Sequence, residues 1–332
     1  MQTRQRGFTL VEMMVVTVLL GFLIVGVMKF FTTQKKNASM NTQVVEVQQN
    51  SRLLGSLFEE DIRHAGLLVP ESGAFCAVDQ LIGPDSFFVS DADAIDSTDE
   101  KRNDLGARIQ AGLTNITAGP QTLILDTLVI EFTTPDAAYD TDGNGVADSD
   151  FRVNGGIIVT DAGNPSRGAA CGLVTDINLA TSTISVTIMS NALGAIPGSG
   201  SVVDLVAIPA HAYTINADSQ LIRDGMLIAN DVEDLQIAVF IDANDNRTID
   251  VGEYLGDGVD PQFVSTAVDI SLAREIRANL VLRTRLDDLD NSNGRFQRKE
   301  NRAAVAGSDG FRRRSYSVTV GLRNVGARIP TT

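Results

Sequence analysis

The chain has 332 residues, 43% hydrophobic and 21% charged, with no Trp and a formal net charge of −15. This allows one large domain or two small ones, and excludes a disordered chain, a collagen, a coiled-coil rod and a polytopic membrane protein. The acidic balance argues against an overall electrostatic hold on nucleic acid, and two Cys with two His exclude a Cys-rich zinc fold, a Cys-bound iron–sulfur cluster and a three-His zinc site.

The first element is an apolar run. Residues 13–28 contain no charge, and the 21 residues from Phe8 to Met28 contain one, Glu12. As a helix rising ~1.5 Å per residue the run spans roughly 31 Å, one hydrocarbon core. Arg4 and Arg6 precede it, which predicts a cytoplasmic N-terminus and an exported remainder. A cleaved secretory signal would show a small-x-small site after the run, but Lys29, Phe30 and Phe31 stand there. A lipoprotein signal would need a Cys at that point, and the first Cys is Cys76. An ordinary anchor leaves Glu12 unexplained, because a carboxylate inside a span costs on the order of 2.5–3.5 kcal/mol and marks a function.

Residues 6–12, Arg-Gly-Phe-Thr-Leu-Val-Glu, followed by this apolar stretch, resemble the class III signal of type IV pilins and type II secretion pseudopilins. The resemblance implies that a prepilin peptidase removes residues 1–7 by cutting between Gly7 and Phe8, and that it methylates Phe8. It also implies that Glu12, the fifth mature residue, pairs with the positive N-terminus of a neighbouring subunit when helices bundle in a fibre core. A buried carboxylate needs such a partner, and the pair would set the axial register. The helix-kinking Pro of many major pilins is absent; Gly21 and Gly26 occupy that region.

Residues 8–36 are therefore predicted as a transmembrane spine helix, continued by an amphipathic half over 37–66. There is no Pro before residue 70, and Val47, Leu54, Phe58, Ile62 and Ala65 recur at helical spacing, with Gly66 as the stop. Residues 67–332 are expected to form a β-rich head. Its first part, 67–120, carries Pro70, Pro84 and the run DADAIDSTDEKRND, and reads as exposed, with short strands at best. Strands are predicted at Leu123–Phe132, Gly156–Thr160, Thr183–Met189, Val202–Ile208, Leu235–Ile241, Ile276–Thr284 and Tyr316–Arg323, antiparallel and with one wet face. The fold class is α+β: a long N-terminal helix packed on an antiparallel sheet with long loops.

Two loops have the oxygen spacing of calcium sites. In 242–253, Asp242, Asn244, Asn246, Thr248, Asp250 and Glu253 fall at positions 1, 3, 5, 7, 9 and 12, although Arg247 replaces the usual Gly. In 140–151, Asp140, Asp142, Asn144 and Asp148 fit, although Phe151 stands where a bidentate Glu belongs. One or two Ca²⁺ sites are expected; plain polar turns are the alternative. Cys76 and Cys171, in an exported head, are expected to form a disulfide, with two separate buried thiols as the alternative. His64 and His211 read as structural. No nucleophile elbow or phosphate loop is present, so no catalytic residue is assigned.

The charge is uneven. Residues 271–332 carry 13 Lys/Arg against 6 Asp/Glu, a net of +7, while 37–270 carry a net of −26. Neutralisation between neighbouring strands is the simplest reading. Contact with DNA through Arg295, Arg298, Lys299, Arg302, Arg312, Arg313 and Arg314 is a weaker one, because few aromatics interleave them.

DIRHAG at 61–66, NDVEDLQIAVFIDANDN at 230–246 and RRRSYSVTVGLRN at 312–324 resemble segments of PilW-type minor pilins. The resemblance implies a minor pilin of the type IV pilus. Its partners would be other minor and major pilins, the prepilin peptidase and an inner-membrane assembly platform. It would join a priming complex at the fibre tip that can present an adhesin. Before assembly it would sit in the inner membrane with its head in the periplasm, and afterwards in a surface fibre. A secretion pseudopilin and a DNA-uptake pilin are the alternatives.

Overall fold

A computed structural model gives the architecture for residues 9–67, 69–80, 83–90, 107–110, 112–126, 151–189, 193–196, 198, 200–244, 246, 248–255, 270–288, 294–300, 302–305, 307 and 309–325. The chain opens with one helix, α1 (Leu10–His64), unbroken at Gly21 and Gly26. Thr9 caps it: the Thr9 hydroxyl accepts the Glu12 amide at 3.3 Å. The apolar half lies exposed from Leu10 to Phe31. The other half buries Met40, Val47, Leu54, Phe58 and Ile62, with the small residues Ser51 and Gly55 between them. All five apolar residues expected on the packed face, Ala65 included, are buried. Gly66 follows with φ +77°, a left-handed stop that suits Gly. Asn324 then donates to the final carbonyls, at 3.4 Å to His64 and 3.2 Å to Ala65.

Among the described residues, fourteen strands form two antiparallel sheets. In chain order they are β1 (Phe75–Val78), β2 (Ser86–Ser90), β3 (Ala107–Arg108), β4 (Gly119–Ile124), β5 (Gly156–Asp161), β6 (Ala169–Asn178), β7 (Thr183–Ile188), β8 (Leu205–Ile215), β9 (Leu221–Arg223), β10 (Met226–Ala229), β11 (Val232–Ile241), β12 (Tyr254–Leu255), β13 (Ala273–Arg283) and β14 (Arg313–Gly321). The large sheet runs β1-β2-β8-β5-β6-β7-β4, with β3 and β9 also on β8 and β10 on β9. The small sheet runs β12-β11-β13-β14.

One core joins the helix to both sheets through Leu54, Phe58, Phe87, Tyr213, Leu235, Ile276 and Leu280. A second core lies around Ile116, Phe151, Ile157, Val159, Val174 and Leu205. Ile158 belongs to the first core while Ile157 and Val159 belong to the second, so β5 is dry on both faces. That departs from the expected single wet face, which β14 does keep: Ser315, Ser317 and Thr319 are exposed between better-buried neighbours. A second departure is β1 and β2. Phe75, Phe87 and Phe88 are fully buried, so this part of the expected exposed region is core.

Candidate functional site

The residues that bear on function lie along α1 and where it meets the head. Leu10–His64 is, among the described residues, the helix long and apolar enough to cross a membrane. Its hydroxyls make no demand on lipid: Thr17 donates to the Met14 carbonyl, and Thr32 and Thr33 to that of Lys29, each at 2.9 Å. Glu12 sits in the first turn, where the helix dipole favours a carboxylate. Gly7 and Phe8 lie outside the described residues.

The seat of the helix on the head is aromatic and ionic. Phe58 stacks on Tyr213 with centroids 4.3 Å apart and on Phe87 at 6.3 Å. One turn on, Asp61 accepts the Tyr213 hydroxyl and pairs with Arg223 at 3.0 Å. Burial, then the Asp61 charge, push the Tyr213 phenol well above its ordinary value, so it stays a donor to that carboxylate. Asp224 holds the next rung, accepting the Ala212 amide at 2.8 Å and lying 2.6 Å from His211 Nδ1. Helix and sheet are thus joined by groups more than 150 residues apart in sequence. Gly55 permits the closest approach: a Cβ there would lie 2.1 Å from the Tyr316 ring on β14.

Lower down, the small sheet grips the helix just past its apolar half. Leu286 N donates to Gln43 Oε1 at 3.0 Å. Lys36 pairs with Asp288 at 3.1 Å, and Asp288 also holds Arg312 at 2.7 Å. Several other basic residues of the C-terminal segment are paired in the same way. Arg313 binds Glu233 and Asp309, Arg302 binds Asp234, Arg277 binds Glu300, and Arg274 lies 3.5 Å from Asp242.

Cys76 on β1 and Cys171 on β6 form a disulfide, with Cα atoms 6.1 Å apart. It ties the outer strand β1 across to the inner strand β6. Nearby, the buried Arg167–Asp161 pair (2.7 Å) fastens loops to the sheet, since Arg167 also donates to the carbonyls of Gly194 and Thr114. Burial would raise the Asp161 carboxyl, but the Asp204 amide, Arg167 and Asn164 together hold it below its ordinary value.

The 242–253 loop joins β11 to β12. Asp242 is fully buried and accepts the Asn246 amide at 3.0 Å. Asn244 and Asn246 donate to Asp250 at 3.1 and 2.7 Å, which holds that exposed carboxyl below its ordinary value. Thr248 donates to Asn246 Oδ1, and Glu253 accepts the amides of Ala243, Asn244 and Asp250. The six predicted residues therefore share one loop, with Glu253 engaged by amides. Among the described residues no group of three His, Cys, Asp or Glu is placed to hold a metal. Asp140, Asp142, Asn144 and Asp148 lie outside the described residues.

Sequence reasoning missed Asp61, Tyr213, Arg223, Arg167 and Asp161. Asp61 pairs with Tyr213 and Arg223 more than 150 residues away, which leaves no local pattern, and Arg167 and Asp161, though six residues apart, sit in a loop and a strand end without any recognisable motif. The segments singled out for their resemblance do contain part of this machinery: Asp61 in DIRHAG, Glu233, Asp234 and Gln236 in VEDLQ, and Asn324 at the end of LRN.

In comparison with known proteins, a family described as the prokaryotic N-terminal methylation motif matches residues 2–28. No curated protein and no solved structure matches the chain.

Proposed function

We propose that this chain, which carries a type IV pilin-like prepilin signal, is a PilW-like minor pilin of a type IV pilus. It works as an assembly subunit and not as an enzyme. The carrying observation is one helix in two halves: an apolar half bearing the methylation motif and no packing of its own, and a half seated on the head. After cleavage between Gly7 and Phe8 the apolar half anchors the subunit in the membrane with its head in the periplasm. During assembly it moves from lipid to the helical core of a fibre. There Glu12 pairs with the methylated Phe8 amine of a neighbour, which sets the register of the added subunit. Partners are major and minor pilins, the prepilin peptidase and the assembly platform, and the position is a priming complex at the tip.

A calcium ion at the 242–253 loop belongs to the same reading. Asp242, Asn244, Asn246 and Asp250 already cluster by hydrogen bonds. Glu253 would exchange its amide partners for the cation. Asp242→Ala should reduce a calcium-dependent rise in melting temperature; equal melting of the wild type in EGTA and in millimolar Ca²⁺ would dismiss the site.

The test of function is the fibre itself. Sheared fibres should contain the wild-type chain, while Glu12→Val should remain in the membrane fraction and be missing from them. A chain that never enters fibres, and whose deletion blocks protein export, would instead be a secretion pseudopilin. Selective loss of DNA uptake would point to an uptake pilin.

A further inference from the structure

The small sheet carries a cleft of about 280 Å³ at its β13–β14 end, walled by Arg295, Gln297, Lys299, Arg312, Arg313 and Ser315. The cations differ in their engagement. Arg312 is neutralised by Asp288, and Arg313 by Glu233 and Asp309. Arg295 and Lys299 have no acidic partner among the described residues. The groups left over are a guanidinium, an ammonium, an amide and a hydroxyl. Together they form a donor-rich set that suits a phosphate oxyanion.

The position of the cleft says which phosphate. Its wall is fastened to the helix by the chain Arg312–Asp288–Lys36. Lys36 is eight residues past Met28, the end of the uncharged run, or ~12 Å along a helix axis. The headgroup layer on one side of a bilayer accounts for roughly 5–8 Å of that. The remaining gap at Lys36 is within one Debye length, about 8 Å. Lys29 and Lys35 project from the helix between the span and the cleft. Every residue lining the cleft comes from the basic segment of the chain, 271–332, which carries a net of +7 against −26 over 37–270. Near an anionic surface the unpaired Arg295 and Lys299 are attracted while acidic stretches are repelled, which favours the cleft facing the lipid.

We propose that the Arg295–Lys299 cleft holds the headgroup of an anionic phospholipid in the membrane that anchors the chain, and so docks the head on the bilayer before assembly. This rests on the membrane-anchored reading above. The acidic face of a neighbouring head has similar charge but no reason to lie at the membrane end, so the observations favour lipid.

The experiment places the full mature chain in nanodiscs of phosphatidylcholine alone, or of phosphatidylcholine and phosphatidylglycerol in equal parts. Amide hydrogen exchange is followed in 294–299 and 311–315. Retention of the chain in both kinds of disc checks the anchored reading separately. The proposal expects several-fold slower exchange with phosphatidylglycerol. High salt and Arg295→Glu/Lys299→Glu should each remove the difference, and Arg314→Glu, outside the cleft, should leave it. Equal exchange in the two discs would overturn it. So would protection reproduced by inorganic phosphate in neutral discs, which indicates a free-anion site, or protection in neutral discs that grows with protein concentration, which indicates a neighbouring head.

Discussion

Replacing Phe58 by Ala should loosen the helix from the head more than any exposed change on α1. Phe58 is fully buried, and its ring stacks on both Tyr213 and Phe87. Removing it forfeits about 2–3 kcal/mol of transfer free energy. Each ring pair adds ~0.5–1.5 kcal/mol. The strands beneath, β2 and β8, are paired to each other through Phe87–Tyr213 to Ser90–Ala210 and cannot collapse far into the hole. The sum, about 4 kcal/mol, agrees with the 3–5 kcal/mol typical of buried Phe→Ala. For a head of this size that is a fall in melting temperature of roughly 10 °C. The control is Leu53→Ala, five residues earlier on the same helix and 64% exposed, for which less than ~0.5 kcal/mol is expected. Calorimetry of the detergent-solubilised full chain reads both. If Phe58→Ala melts within a degree or two of Leu53→Ala, the aromatic seat is not what joins helix to sheet.

Opening the Cys76–Cys171 bridge by a double change to Ala should destabilise the head by up to ~4–5 kcal/mol, from the loop closed by a sequence separation of 95. Denaturant titration measures this, and native protein in which both cysteines can be alkylated without reductant would contradict it. Burial pushes the Asp234 carboxyl from 3.8 up to about 6, with Arg302 opposing. The folded chain therefore binds this proton more tightly than the unfolded chain. The extra stability is present at low pH and disappears as pH rises through about 4 to 6, by roughly 3 kcal/mol at most. Asp234 Oδ2 and Gln236 Oε1 both lack a donor, while Gln236 Nε2 reaches Asp234 Oδ1 at 3.2 Å. Asp234→Asn supplies a permanent donor and should flatten that part of the pH profile; an unchanged slope would refute the assignment. Ala at Gly172 should be poorly tolerated, because its Cβ would lie 2.1 Å from the Thr187 carbonyl oxygen of the adjoining strand. A melting temperature within ~2 °C of wild type would show that β6 and β7 can move apart at small cost.

The helix was legible because its packed face repeats at 3.6 residues and no Pro interrupts it. The sequence left Ser51 and Gly55 looking like gaps in that face, yet both are buried. Gly55 is small because Tyr316 arrives there from the far end of the chain. Strands with alternating Val, Ile and Leu, such as β11 and β14, were visible. β1 and β2 were not, being four and five residues long beside Pro70, Pro84 and an acidic run. The start of β6, Ala-Ala-Cys-Gly, has little strand character of its own, and its place comes from β5, β7 and the disulfide. At the candidate site, the processing signal is a local word and could be read directly. The Asp61–Tyr213–Arg223 seat could not, since a half-buried polar cluster formed across more than 150 residues has no periodicity to betray it.

Intact mass and N-terminal fragmentation of the chain purified from its own membranes test the account most directly. The account predicts a mature polypeptide beginning at N-methylated Phe8, lacking residues 1–7 and retaining the whole apolar run, and it predicts that Gly7→Arg leaves the precursor uncut. A polypeptide that keeps Met1, or one that begins beyond the apolar run near residue 36, would contradict it.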